Sequence, residues 1–554
     1  MAWPDGGDPA EVVGIGNRDS GPGMCWERRR ARLITMSSAE SGMIGFWDCT
    51  MRSSSLRVLT VLSVAMCAGV LLLELGCGDA ASGLNRVNHI LILMQENHSF
   101  DNYFGALAYV PGSPYHNGNG PCASGDHACI DGLTCSASSG GLICTNSNVD
   151  DDGSTVLAFK ASTLCPVDLD HSWPGTHAEV NFTNPNDSLL NPLMDGFVTQ
   201  NDLTQEIDSG ETAGDDQTMS FYDQTDLPFY YDLAAKFAIS DSYFASVLGP
   251  TFPNRSYLMA ATSFGHLTSS DSVPPTGGYK PVTGTIFDLL DGGNVSWTDY
   301  YEEFGQDLTF RPVESAHEAP LTTFFQQAAG NGTLPQVALL DLGSSDDEHP
   351  PADIQVGQYA VAQIVSALRN GPYWKDSVLF LMYDEHGGFY DHVKPPQAPQ
   401  NGARTPDGIY PGQCEDLSSP PASLQPGGGA ECSSNALGGD TSLANAEALC
   451  PAMASDPTGA FPAACAAFDQ LGIRVPLMVI SPFAKAAYVS HAVADHTSLL
   501  AFIEKRFLHG KHLTLRDQFA NDLEDMFDFT HSPSLNTPVG TAQPPQNVCG
   551  VSQR

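Results

Sequence analysis

Basic residues are scarce in this chain. Its 554 residues include 24 lysines and arginines against 64 aspartates and glutamates, which gives a formal charge of −40 at pH 7. No basic run follows the N-terminal region, so the chain lacks the positive surface that neutralises nucleic-acid phosphates. These features exclude nucleic acid as a partner. An acidic surface is compatible with cation binding and with a secreted enzyme.

The N-terminal region lacks the features of a folded domain. Residues 1–50 show neither apolar periodicity nor a motif, so we predict a non-native or disordered extension and place the better start at Met51. Residues 51–77 combine two arginines with a long apolar run, which predicts a signal peptide and export to the periplasm, the cell surface or the medium. Gly76 before Cys77 favours lipidation, although Glu74 is atypical of such sites. A membrane anchor or ordinary signal-peptide cleavage remains open.

The cysteines agree with export. Ten of the fourteen follow the signal region, and an even number in an exported chain predicts up to five disulfides. Four of them lie within the Gly- and Ser-rich run CASGDHACIDGLTCSASSGGLIC, which cannot build a core of its own. We predict a disulfide-stapled insertion there, with a zinc knuckle as the alternative. The ten are Cys122, Cys129, Cys135, Cys144, Cys165, Cys414, Cys432, Cys450, Cys465 and Cys549.

Short apolar runs alternate with helical stretches along the rest of the chain. The runs are apolar on both faces, as buried parallel strands are. Helices are predicted at 357–374 and 495–507, the second with Asp495 as its N-cap. The alternation predicts an α/β fold with a doubly wound, mostly parallel sheet and helices on both faces. The runs are HILILM (89–94), KFAISD (236–241), QVALLDL (336–342), SVLFLMYDE (377–385) and VPLMVIS (475–481).

Two regions interrupt this alternation. We predict a catalytic domain at 84–535 that carries loop insertions at 111–165 and 395–470, with no internal repeat, and a tail at 536–554. Disulfides are expected to stabilise the insertions.

Polar residues directly follow several of the apolar runs. Because ligands of such sheets bind beyond the carboxyl ends of the strands, these residues are candidates for one site. Each also has a structural interpretation: a helix cap around Ser99, turns at 250–251 and 384–388, and a solvated loop histidine at His349. Adjacent carboxylates near a dry core are costly unless a cation or a proton offsets them.

Five ordered motifs resemble those of the bacterial phosphoesterase family, from about residue 86 to 530. They are QENHSFDNYFG, DHSW, SVLGPTFPNRSYLMAATS, YDEHGGFYDHVKPP and DHTSLLAFIEKRF. This family contains phosphatidylcholine-type phospholipases C and a class of acid phosphatases. The resemblance implies an alkaline-phosphatase-like α/β core, in agreement with the strand pattern.

The resemblance also implies a metal-dependent active site. One divalent ion would be held by Glu96, Asn97, Asp384 and Glu385. Their oxygen ligands favour calcium, magnesium or manganese, while iron or zinc stays open. Thr251 would be the nucleophile, activated by coordination to the metal.

The remaining roles implied by the resemblance fall to an amide, an arginine and histidines. Asn254 would donate to a phosphoryl oxygen, and Arg255 would either bind substrate or form a structural ion pair. His171 and His349 would protonate the leaving oxygen or stabilise the phosphoryl oxygens. The weaker candidates are His98, His392 and His496, and we expect the last two to be structural or to support the ligands.

The expected function is therefore hydrolysis of a phosphoester. The GPTFPNR context with threonine favours a phospholipase C that acts on phosphatidylcholine-like lipids, touching the membrane through its substrate or a lipid anchor. Two alternatives are an acid phosphatase that acts on phosphomonoesters and an inactive lipoprotein that only binds its ligand.

Overall fold

The computed structural model describes residues 83–546 and residue 549, apart from internal gaps. The predicted N-terminal extension and the signal peptide lie outside the described residues, as do four of the ten cysteines and most of the 395–470 insertion. No helix in the described part of the chain is long and apolar enough to cross a membrane. The gaps are 119, 186–187, 209–215, 268, 270–277, 311–315, 400, 402–405, 409–467 and 547–548.

An eight-stranded sheet forms the centre of the fold, in the order β12-β11-β13-β1-β14-β15-β10-β16. All neighbours pair in parallel except at β15, which is antiparallel to both β14 and β10. The predicted α/β fold with a mostly parallel sheet is thus confirmed. The strands are β1 (His89–Gln95), β10 (Ala238–Ser240), β11 (Trp297–Tyr301), β12 (Glu318–Pro320), β13 (Val337–Asp341), β14 (Ser377–Tyr383), β15 (Leu477–Ile480) and β16 (Tyr488–Ser490).

The central strands are those with unbroken apolar sequences. Every residue of β13 and β14 is buried, and β1 is buried from Ile90 onward, because these strands have neighbours on both sides and are packed on both faces. All five predicted strands are present. VPLMVIS, however, was wrongly predicted to be parallel: β15 runs antiparallel to both of its neighbours, and an apolar run does not encode the direction of a strand.

Three strands of the sheet were not predicted from the sequence. Strand β11 reads WTDYY and mixes polar with aromatic residues, while β12 and β16 are edge strands of three residues each. Short edge strands carry little of the apolar signal that marks a buried strand.

Helices connect the strands and begin at recognisable caps. The 357–374 prediction corresponds to α8, which starts earlier, at Ile354 with Asp353 as N-cap, and stops before Gly371. The 495–507 prediction is confirmed, with Asp495 in a capping box. The helices are α1 (Phe100–Phe104), α2 (Trp173–Val180), α3 (Phe197–Asp208), α4 (Pro228–Lys236), α5 (Thr251–Ala260), α6 (Ile286–Gly293), α7 (Leu321–Ala328), α8 (Ile354–Asn370), α9 (His496–Phe507) and α10 (Leu515–Phe519).

The 111–165 insertion is more regular than the loop predicted for it. It contains a parallel pair of two-residue strands and two small antiparallel hairpins, and its last strand pairs with a strand beyond the insertion. Two disulfides, Cys122–Cys129 and Cys135–Cys144, close loops within it, so its predicted stapling is confirmed. The strands are β2 (His116–Asn117), β3 (Cys129–Ile130), β4 (Cys135–Ser138), β5 (Gly141–Cys144), β6 (Ser147–Val149), β7 (Thr155–Leu157), β8 (Phe159–Lys160) and β9 (Ser220–Phe221).

A third disulfide joins Cys165 at the end of this insertion to Cys549 in the predicted tail. The tail also contacts the domain through Gly540, whose backbone N–H donates to Asp232 Oδ2 at 2.7 Å. The segment after residue 535 is therefore attached to the catalytic domain both covalently and by hydrogen bonds.

Candidate active site

The carboxyl ends of β1 and β14 are adjacent, and each delivers two of the predicted metal ligands. Because these strands pair in parallel with Gln95 opposite Tyr383, the residues that follow them meet at one edge of the sheet. The backbone N–H of Asn97 donates to Asp384 Oδ1 at 3.3 Å. This edge, where β1, β13 and β14 end, is called the carboxyl edge below.

The chain turns sharply at this point. Asn97 has a left-handed backbone with φ of +64°, and Gly387 has φ of +63°. A Cβ added at Gly387 would lie 2.2 Å from the carbonyl oxygen of Asn97, so only glycine lets the two strand ends approach. The Gly-Gly pair after Asp384 and Glu385 is thus a turn, and it is also what brings the ligands together.

The donor set fits a bound divalent cation. Asn97 Oδ1 and Glu385 Oε1 are buried, and neither accepts a hydrogen bond from any described residue. Buried polar atoms normally have partners, so two such oxygens on neighbouring strand ends are available to bind a cation or a water molecule. Glu96 and Asp384 follow the same two strand ends, and oxygen donors of this kind are those that hard divalent ions prefer.

Arg255 lies between two of these carboxylates. Its Nη2 contacts Glu96 Oε1 at 2.6 Å, and its Nε contacts Asp384 Oδ2 at 3.2 Å. Of the two roles predicted for this arginine, the described contacts are those of an ion-pair partner. The guanidinium orients both carboxylates and offsets their mutual repulsion.

Burial and neighbouring charges set the ionisation of the cluster. Burial raises the pKa of Asp384 to about 6 against the opposing charge of Arg255. Burial also raises the pKa of Glu96, again opposed by Arg255. For Glu385 the effect of burial is outweighed by the imidazoles of His171 and His386, which lower its pKa. Carboxylates concentrated at this edge therefore favour any added positive charge.

Thr251 is the first residue of helix α5 and is only partly buried. The N-terminal end of a helix carries unpaired N–H groups and a partial positive charge, which stabilise a phosphate or an alkoxide. The Gly-Pro sequence before Thr251 ends the preceding loop, and Pro250 is the N-cap. Local sequence thus explains why this hydroxyl stands at a helix start.

The prediction for Asn254 needs correction. Its side chain is fully buried, and its Oδ1 accepts from the backbone N–H groups of Ser246 (2.9 Å) and Val247 (3.0 Å). Its Nδ2 donates to the carbonyl oxygens of Gly249 (2.7 Å) and Pro250 (3.1 Å). Both donors are used, so none remains for a phosphoryl oxygen. Asn254 instead holds the loop that presents the nucleophile candidate.

The structure brings His171 and His349 together at the carboxyl edge, with ring centroids 6.1 Å apart. His171 Nε2 lies 3.5 Å from Asn97 Nδ2 and 3.9 Å from Glu385 Oε1. Its Nδ1 lies 2.8 Å from the carbonyl oxygen of Leu169, and that contact fixes the ring. Both imidazoles therefore lie at the same edge of the sheet as the predicted metal ligands.

Nearby carboxylates favour the charged form of both imidazoles. Burial opposes protonation of His171, but Glu385 and Asp168 outweigh it and raise the pKa to about 9. For His349 the opposing effect of burial is outweighed chiefly by Glu96, which raises its pKa. Both histidines thus favour the protonated form, which is the form that a general acid requires.

A buried ion pair behind the ligands was missed by the sequence reasoning. His386 Nε2 lies 2.7 Å from Glu179 Oε2, and its Nδ1 lies 3.4 Å from Glu385 Oε2. His386 adjoins Glu385 in the sequence and could have been found there. Nothing in the sequence around Glu179, on helix α2, indicates that it contacts His386. Such outer contacts orient a metal-ligating carboxylate.

The weaker histidine candidates have structural partners. His98 is fully buried, contacts Asn102 Oδ1 and the carbonyl oxygen of Glu348, and has its pKa lowered by burial to about 3. His392 Nδ1 lies 2.6 Å from Asp101 Oδ2. His496 Nε2 donates to the backbone carbonyl oxygen of Asp384 at 2.7 Å, which supports one ligand from behind.

A cavity of about 450 Å³ opens beside Thr251. Volumes of this size accommodate small-molecule ligands. Four acidic side chains line it, Glu96, Glu303, Asp341 and Asp347, against one basic side chain, Arg255. Phe252 and the strongly exposed Phe304 add aromatic surface. The cavity therefore favours a ligand portion that is cationic and partly apolar.

The fold and the candidate site are compatible with a hydrolase of phosphoric esters, and comparison with known proteins shows this class. The model of the family described as "Phosphoesterase family" matches residues 87–508. The chain belongs to this family.

Two curated relatives illustrate the likeness. The chain is 28% identical over 474 residues to non-specific phospholipase C1 of Arabidopsis thaliana, covering 82% of this chain and 73% of the relative. It is 29% identical over 504 residues to phospholipase C B of Mycobacterium tuberculosis, covering 84% of this chain and 82% of the relative. Human ectonucleotide pyrophosphatase/phosphodiesterase 5 aligns over 51% of this chain and 90% of its own, at 10% identity and a TM-score of 0.26.

Proposed function

We propose that this protein is an exported, metal-dependent phospholipase C that cleaves phosphatidylcholine-like lipids through a phosphothreonine intermediate. The observation that carries the proposal is the acidic, partly aromatic cavity next to Thr251. A phosphocholine group attached to the threonine oxygen would extend its quaternary ammonium into this cavity. Carboxylates and aromatic faces are the groups that stabilise such cations.

The bound divalent ion would be held by Glu96, Asn97, Asp384 and Glu385, and would supply Lewis-acid stabilisation of the negative oxygens at phosphorus. Two orphaned oxygens in this set support its role as a cation site. Arg255 bonds to both Glu96 and Asp384 and thereby orients these two carboxylates.

The chain's own residues account for the remaining steps. Thr251 Oγ1 attacks phosphorus and loses its proton to solvent, while the bond from phosphorus to the diacylglycerol oxygen breaks. A protonated imidazole, His349 or His171, gives its proton to that oxygen. Water then attacks phosphorus and gives a proton to the imidazole, which restores its protonated form. The phosphorus–threonine bond breaks, Thr251 Oγ1 takes a proton back from solvent, and phosphocholine leaves. Helix α5 stabilises the threonine oxygen at each stage.

A pair of chromogenic esters with the same leaving group tests the proposal. We expect purified protein with added divalent metal to hydrolyse p-nitrophenyl phosphorylcholine faster than p-nitrophenyl phosphate. Replacing Glu303 in the cavity with glutamine should reduce the preference for the choline ester by raising its KM. A strong preference for p-nitrophenyl phosphate would indicate an acid phosphatase, and no turnover with any divalent metal would indicate a binding lipoprotein.

A further inference from the structure

The residue before His349 is a fully buried glutamate, Glu348. Its carboxylate accepts hydrogen bonds from four side chains that belong to β1, α1, α4 and β14. A buried carboxylate is tolerated only when its oxygens are well hydrogen-bonded, so this arrangement ties the loop after β13 to four separate elements. The four donors are Gln95, Tyr103, Tyr230 and Tyr383.

The contacts are short and divided between both oxygens. Oε2 of Glu348 accepts from the hydroxyls of Tyr103 (2.8 Å) and Tyr383 (2.6 Å). Oε1 accepts from Gln95 Nε2 at 3.1 Å and from the hydroxyl of Tyr230. These four neutral donors thus hold the carboxyl group of Glu348 in place together.

The backbone at Glu348 is strained to permit this anchoring. Its φ is +69°, a left-handed conformation that is unfavourable for a non-glycine residue. A Cβ added at Gly357 would lie 2.2 Å from Glu348 Cγ. Only a glycine at this position of helix α8 therefore leaves room for the Glu348 side chain. A strained backbone of this kind persists only where neighbouring groups stabilise it. Here the hydrogen bonds to the Glu348 side chain stabilise it directly beside His349.

The strained residue determines where the next side chain points. His349 donates its backbone N–H to Asp347 Oδ1 at 3.0 Å, and its Nδ1 lies 2.6 Å from the carbonyl oxygen of Pro350. The loop is also bound to the carboxyl edge, since the N–H of Glu96 donates to the carbonyl oxygen of Asp347 at 2.9 Å. With Nδ1 engaged, Nε2 is the nitrogen left to act on a ligand.

We propose that Glu348 is a positioning residue: its four-donor anchor fixes His349 beside His171 so that the imidazole can protonate the leaving alcohol. This inference rests on the proposed function, which gives His349 a part in phosphoryl transfer. Glu348 itself touches no substrate. A misplaced proton donor slows the departure of poor leaving groups more than that of good ones, and this difference makes the role measurable.

The test replaces Glu348 with glutamine, which has the same shape but cannot accept four hydrogen bonds. We expect kcat to fall about 10-fold or more with phosphatidylcholine, whose leaving alcohol is poor, and at most about threefold with p-nitrophenyl phosphorylcholine. KM and metal content should be unchanged. In a His349→Ala background the same substitution should change kcat less than twofold, because the two residues act as one unit. Equal losses on both substrates, or full additivity, would overturn the proposal.

Adjacent tyrosines on helix α4 provide a matched pair in case Glu348→Gln does not fold. Tyr230 donates to Glu348, whereas Tyr231 donates to the backbone carbonyl oxygens of Tyr103 and Tyr222. Tyr230→Phe should lower kcat severalfold with phosphatidylcholine, and Tyr231→Phe should not. Identical behaviour of the two would contradict the inference while leaving the proposed function intact. An inactive wild type would overturn both.

Discussion

Replacing Asn254 separates a structural role from a substrate-binding one. The buried amide makes four hydrogen bonds to the backbone between Ser246 and Pro250. At about 1 kcal/mol each, with a further cost for the buried groups left unpaired, Asn254→Ala should lower the free energy of unfolding by about 3–5 kcal/mol. Asn254→Asp should cost at least as much, because a carboxylate oxygen would face the carbonyl oxygens of Gly249 and Pro250.

Urea unfolding followed by circular dichroism measures this loss, and steady-state kinetics well below the transition measures kcat and KM. Ser256→Ala on the same helix is the control, since its hydroxyl makes a single bond to the carbonyl oxygen of Phe252 at 2.8 Å. We expect that control to lose about 1 kcal/mol or less. An Asn254→Ala protein of wild-type stability with a raised KM would refute the structural role and restore the substrate contact.

Three further predictions concern the nucleophile, the metal and the pH dependence of stability. Thr251→Ala should reduce kcat about 10³-fold or more with unchanged folding by circular dichroism; unchanged turnover would defeat the assignment. Chelation should abolish activity, and returning stoichiometric divalent metal should restore it in wild type but not in Asp384→Asn, as followed by metal analysis and kinetics. Burial, reinforced by Asp517, raises the pKa of Glu504 to about 10. The contribution of Glu504 to the free energy of unfolding is therefore largest below about pH 4.5 and decreases as the pH rises. Glu504→Gln should therefore be neutral near pH 4 and stabilise by up to about 3 kcal/mol at pH 7, and an equal effect in urea unfolding at both pH values would contradict this.

Local sequence was sufficient for the strands that carry the site. Apolar runs on both faces indicate buried strands, and parallel strands end at a common edge, so the polar residues after β1 and β14 were predicted to lie at one edge of the sheet. The contact of Asn97 with Asp384 follows from that rule. Edge strands β12 and β16 gave no such signal because they are short and less enclosed.

Residue roles were less accessible from the motifs. Asn254 and Arg255 adjoin in one motif, yet the amide turns into its own loop and the guanidinium turns toward two carboxylates. Helical geometry places successive residues about 100° apart, and only the packing around them decides which direction faces the site. Glu348 and its tyrosines come from distant parts of the chain, so no spacing rule could connect them.

The sequence by itself determined the class of fold, the strands that precede the candidate site residues, and the residue types available to a phosphoester. These follow from hydrophobic periodicity and from motifs only a few residues long, which act locally. The tertiary structure decided which oxygens lack partners, which charges lie beside Thr251, and what holds His349 in place. Those properties depend on groups separated by up to hundreds of residues, and only the folded chain brings them within hydrogen-bonding distance.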